Sequence, residues 1–196
     1  NLNKLGKAIG AYKLGQFAKD FIVLAGELDS VSTAFQNIAV NAKGGSKALL
    51  DSITTATKGT VSQLDIMRTS NLAMQLMGEQ VIDYLPRMAE IASAAARASG
   101  QDVSQMLNDI VKASGRQSVL ILDNLGISSA TARNEIDRYA ASLGKTSEQL
   151  TASEKSQAFF NAVIVAGGEL VKKIGGNTRT LGEEIQRLDA NMKNAG

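Results

Sequence analysis

The stretch LGQFAKDFIVLAGELDSVSTAFQNI, residues 14–38, decides the fold class. Its large apolar residues Leu14, Phe17, Phe21, Leu24, Leu28, Val31, Phe35 and Ile38 are spaced alternately by three and four. A strand needs a period of two, whereas this spacing lays all eight along one face of a helix as a heptad seam. An earlier set, Leu2, Leu5, Ile9 and Tyr12, repeats in the same way but out of phase, with Gly10 and Gly15 near the break. Glycine weakens or bends a helix, so residues 1–42 read as one long N-terminal helix with a discontinuity. The seam has two readings: it lies on the rest of its own domain, or it pairs with another copy or a folded partner. Bulky phenylalanine rings fit poorly in the tight layers of a two-stranded coil, so the second reading favours a higher oligomer or docking over a simple dimer.

Outward from the seam, glycines punctuate a series of shorter helical segments, and the expected architecture is all-α, a long helix followed by a compact multi-helix module over residues 43–176. Gly44-Gly45-Ser46 breaks the chain, Lys47 to Thr57 is a short helix stopped at Gly59, and Asp65 to Met77 is the next, ending at Gly78. Asp83 is placed to cap a further helix with Pro86 in its first turn, and that helix runs along an Ala-rich face to Gly100, a composition that lets a neighbour approach closely. Asp102 caps a helix ending at Gly115. The apolar run Val119-Leu120-Ile121-Leu122 has no second strand-like run to pair with and reads as helix or turn. Ser128 to Leu143 is helical and closed by Gly144, while Thr151-Ala152-Ser153-Glu154 is a capping box opening a helix to Ile174. A polar helix from about Thr178 to Met192 lies in the C-terminal segment, residues 177–196.

Composition agrees with helices packed at close range: 44% of residues are hydrophobic but only 4% aromatic, and there is one proline. Lysine and arginine number 21 against 19 acids, for a net charge of +2, far short of the positive field that binding a phosphate backbone uses. Histidine and cysteine are both absent, which removes the commonest general base, the commonest metal ligand and all thiolate chemistry. The longest charge-free apolar stretch, Ser156 to Gly168, is well under the roughly 18 residues of a membrane span. The chain opens at Asn1 with no signal-like segment and is expected to come from a longer polypeptide.

Constellations that might carry chemistry fail on residue type or spacing, so no enzyme activity and no cofactor are expected. Gly144-Lys145-Thr146 has the end of a phosphate-binding loop, but Tyr139 stands where its first glycine is required. Gly144 reads instead as a helix-ending residue, and Lys145 as a cation at the negative end of the helix dipole. Ser153 and Lys155 point apart on a helix, and Glu183 and Glu184 fall on a polar face. The lysines at 4, 7, 13 and 19 read as a solvated helix face, not a nucleic-acid site.

Between Gly115 and Ala162 lie GRQSVLILDNLGI, RYAASLGK and QLTASEKSQAFFNA. This set closely resembles the helical core region of phage and prophage tail tape measure proteins, and weaker similarity covers most of Glu27 to Lys172. Where the family commonly has proline, this chain has Val119. Ile121, Leu122, Asp123, Asn124, Leu125, Gly126, Tyr139, Gly144, Lys145, Leu150, Glu154, Lys155, Gln157, Asn161 and Ala162 match as they stand. The resemblance implies a virion protein of the tail lumen, made in the host cytoplasm, that sets tail length during assembly and leaves ahead of the genome. It also implies tail tube proteins, tail tip proteins and tail assembly chaperones as partners, with a homo-oligomer through the N-terminal helix as a further expectation.

Read physically, Leu122-Asp123-Asn124-Leu125-Gly126-Ile127 is a buried joint, with a side-chain oxygen bonding nearby amides and Gly126 free to take positive φ. The seam from Leu14 to Ile38 measures roughly 37 Å at the helical rise, so a chain that folds back this often is a module beside the ruler and not the ruler. A helical adaptor domain docking on a cellular partner is the alternative reading. A peptidoglycan-cleaving module is a third, without a paired-carboxylate signature to support it.

Overall fold

The computed structural model describes residues 26–175 and 181–195, and the secondary structure of the described residues is entirely helical, without a strand. The order is α1 (26–38), a 3-10 turn at Ala39–Asn41, α2 (Gly45–Ala56), α3 (Gln63–Met77), a 3-10 segment at Glu79–Tyr84, α4 (Leu85–Ser99), α5 (Val103–Gly115), α6 (Val119–Asn124), α7 (Ser129–Ser142), a 3-10 turn at Ser147–Gln149, α8 (Ala152–Ile174) and α9 (Leu181–Ala195). The all-α reading holds. The long helix expected over residues 1–42 falls mostly outside the described residues; within them, residues 26–38 are helical and the helix gives way to the 3-10 turn at Ala39–Asn41.

Polar caps set where the helices begin. The side chains of Ser62, Asp102, Ser128 and Thr151 accept hydrogen bonds from the backbone amides of Asp65, Gln105, Thr131 and Glu154, and each meets an amide that has no partner within its helix. Asp83 does not cap. Its segment is a 3-10 run in which Val81 and Ile82 are buried, so α4 starts only at Leu85, behind Tyr84 and with Pro86 in its first turn. The helix expected from Asp65 begins two residues earlier because Ser62 is its cap, and Asp65 bonds back to the Ser62 hydroxyl at 2.7 Å.

Helix α4 is the centre, packing against α2, α5 and α8. Its buried face holds Leu85, Met88, Ile91 and a run of alanines, and it runs parallel to α8: Tyr84 meets Gln157, Ile91 meets Gly167 and Arg97 bonds the Gly175 carbonyl. A Cβ on Gly167 would stand 2.5 Å from Ile91, so the two backbones approach to a distance that only glycine allows there. The Ala-rich face thus receives a close neighbour, as its composition implied. Helices α7 and α8 form an antiparallel hairpin, tied at its open end by Thr131 to Glu169, with a small core of Ala140, Leu150 and Ala158 at its closed end.

Candidate functional site

The stretch from Gly115 to Ala162 runs from the end of α5 into α8, and many of its residues shape the turns between helices. After α6, Leu125 is the last helical-side residue, Gly126 takes φ +74°, and Ile127 turns inward. The Ile127 amide bonds the Leu122 carbonyl and the Gly126 amide bonds that of Asp123, both at 3.0 Å, which is the paired closure of a left-handed helix end. Leu122, Leu125 and Ile127 are buried, whereas Asp123, Asn124 and Gly126 face outward. The Asp123 carboxylate lies 3.5 Å from the Ser129 amide, beyond the good range for such a bond, so the joint is held chiefly by its backbone closure and its three buried side chains.

The same closure recurs at Gly144, with φ +69°, where the Lys145 amide bonds the Ala140 carbonyl. Beyond that turn, the Lys145 ammonium reaches both carboxylate oxygens of Glu154, at 2.7 and 2.8 Å. Glu154 also accepts from the Thr151 amide at 2.8 Å and donates its own amide to the Thr151 hydroxyl, completing the capping box. The ammonium first, and then the Thr151 amide, lower the Glu154 carboxyl from its ordinary 4.5 to about 2. Lys145 is therefore an ion-pair partner that welds the α7–α8 turn, beyond the dipole role read from its position. Along α8, Gln157 donates to the Tyr84 hydroxyl and to Asn161, and the Tyr84 ring packs on Phe160 at a centroid distance of 5.0 Å.

The seam divides. Phe35 is 3% exposed and belongs to the same core as α4, Val31 packs against that core, and Leu28 is 42% exposed. Ile38 is half-buried. The Asn71 amide holds the Val31 carbonyl at 3.1 Å and Arg68 pairs with Glu27, fixing α1 parallel to α3. Leu14, Phe17, Phe21 and Leu24 lie outside the described residues. For Phe35 the intramolecular reading is the one observed.

Clefts open between helices among the described residues. One of about 160 Å³ lies between α4 and the end of α8, one of about 410 Å³ between α3 and α5, and an open groove of about 750 Å³ between α2 and α4. The acids lining them are committed elsewhere: Glu90 pairs with Arg87, Asp51 with Lys47, Asp65 with Ser62, and Asp102 caps α5. Among the described residues no group of three or more acids stands close enough to hold a metal ion, and no helix is long and apolar enough to cross a membrane. The backbone of residues 183 and 184 lies in α9, but their side chains are outside the description.

Two left-handed positions escaped the sequence reading. Lys58 and Gln117 have φ of +56° and +51°, closing α2 and α5 with the same paired hydrogen bonds that glycine makes elsewhere. Gly59 was expected to stop α2, yet Lys58 takes the first left-handed position and Gly59 the next. Neither lysine nor glutamine signals such a turn, because neither carries the short polar side chain that eases it.

No protein family model and no solved structure matches this chain.

Proposed function

We propose that this chain is a compact helical module of a phage tail tape measure protein, a structural component of the tail and not an enzyme. The observation that supports it is where the resembling residues sit. Ile121, Leu122, Leu125, Tyr139, Leu150 and Ala162 pack in the core or against it. Gly126 and Gly144 take left-handed turns, and Lys145, Glu154, Gln157 and Asn161 make the hydrogen bonds that join α7, α8 and Tyr84. A resemblance concentrated on joints and core is one of fold, the level at which a structural virion protein is constrained. Asp123, Asn124 and Lys155 are the outward-facing exceptions.

In this reading the module sits beside the extended ruler within the tail lumen, with tail tube and tail tip proteins as neighbours and assembly chaperones as earlier partners. The test is to purify tails of the virus whose gene encodes this sequence and to probe opened and intact particles with antibodies to residues 26–175. Labelling of opened tails alone is the expected result. A protein absent from purified tails, or labelled equally on intact ones, would overturn the reading.

A further inference from the structure

Helix α9 bridges the starts of α3 and α5. Its Asn194 side-chain oxygen accepts the Gln63 amide at 2.8 Å, and that amide, the first of α3, has no partner within its own helix. Roughly 12 Å back along α9, the Gln186 side-chain amide donates to the Gln101 carbonyl, just ahead of α5, at a long 3.4 Å. Between these two points Arg187 lies against Gly59. The Lys193 ammonium pairs with Asp189 at 2.8 Å, and that bond first, then the charges of Asp65 and Asp102, raise it above its ordinary 10.5. Lys193 thus leans on acids of α3 and of the α5 cap.

These attachments are polar, and α9 has no part in the core. Among its described side chains Ala190 is the one buried apolar group, and it joins neither the main core nor the small core of the α7–α8 hairpin. Leu188 and Met192 are 58% and 69% exposed. The Gln186 side-chain oxygen is buried without a partner, which subtracts from what the polar contacts contribute. Helix α8, by contrast, sets Phe159, Phe160 and Val163 deep in the main core. Segments with few buried apolar contacts open locally while the core stays closed. We infer that α9 is a strap that lifts as a unit from the folded bundle. Lifting frees the Gln63 amide and takes the Lys193 charge away from Asp65 and Asp102, two of the residues that line the cleft of about 410 Å³ between α3 and α5. Ser62 still caps α3, and Asp102 still caps α5. The inference is independent of the tape measure reading, since it concerns only how the chain closes on itself.

Amide hydrogen exchange in the full 196-residue chain tests this. The α9 amides should exchange about 100-fold or more faster than those of α4, yet more slowly than in a free peptide of the same sequence. Asn194→Ala should speed α9 a further twofold to tenfold, roughly the worth of one hydrogen bond, and leave α4 unchanged. Alanine favours a helix more than asparagine does, so the faster rate reports lost docking and not a weaker helix. Asn191→Ala makes the same substitution at an exposed position of α9 and should not speed it. Exchange of α9 as slow as that of α4, exchange as fast as in the free peptide, or the same α9 rate in Asn194→Ala as in Asn191→Ala would each overturn the inference.

Discussion

At the scale of single residues, the backbone conformation and not the side-chain contact determines what Gly126 does. A Cβ placed there meets nothing within 4 Å, so a substitution is penalised only through its φ of +74°. Gly126→Val is expected to cost more than about 1 kcal/mol in denaturant unfolding, because a β-branched residue is strongly disfavoured in that region, and Gly126→Asn should cost less. The converse holds at Gln117, a non-glycine residue at positive φ: Gln117→Gly should raise stability by roughly 0.5–1 kcal/mol, and a loss would show that the bond from its side chain to Ser156 outweighs the strain. Glu154 offers a pH signature. Its carboxyl titrates near 2 in the folded chain against an ordinary 4.5, so its contribution is fully present above about 4.5 and fades as pH falls toward 2. Glu154→Gln should therefore be less stable than the parent at pH 7, with the gap closing in acid. A gap that stays constant from pH 7 to pH 2 would contradict the ion pair with Lys145. The turn at Gly126 was legible because glycine ends an apolar run there. The Lys145–Glu154 pair was not, since a capping box accounts for Glu154 without any need for a cation nine residues away.

Between elements, α8 comes up tightly against α4 at Gly167. Gly167→Ala would press a methyl group against the Ile91 side chain and should destabilise the protein by about 1–3 kcal/mol, the usual range for overpacking. Ile91→Ala opens the space, so the double variant should be more stable than the sum of the two single losses predicts, and simple additivity would show that the helices are not held at this distance. Element boundaries were readable wherever a polar cap announced them, as at Asp102, Ser128 and Thr151. They were misread at Asp83, where the burial of Val81 and Ile82 draws the chain into a 3-10 segment and delays the helix to Leu85. Periodicity alone could say that residues 28–38 have an apolar face, but not what that face meets. Asn71 on α3, forty residues away, answers that by holding Val31. Local pattern fixes helices, and only the assembled core selects their partners.

Among the described residues, the main core runs from Phe35 on α1 to Leu170 on α8 and takes in Ala132 of α7, so α1, the α4 centre and the α7–α8 hairpin should lose structure together. Far-ultraviolet circular dichroism should show helix without strand, and one cooperative loss of signal in urea that coincides with the change in tyrosine fluorescence. Separate transitions would mean that the hairpin is an independent unit. The central claim, which rests on the proposed function, is that the stretch from Gly115 to Ala162 acts through the fold, with Leu122 to Ile127 as a joint and not a contact surface. The most direct test is to count assembled tails by electron microscopy in virus carrying Gly126→Asn or Gly126→Val, beside the unfolding midpoint of each purified variant. The account predicts that tail yield falls in the order of lost stability, Val below Asn below the parent. Tails missing from a variant whose isolated module is as stable as the parent would show that position 126 touches a partner, and the joint reading would be wrong.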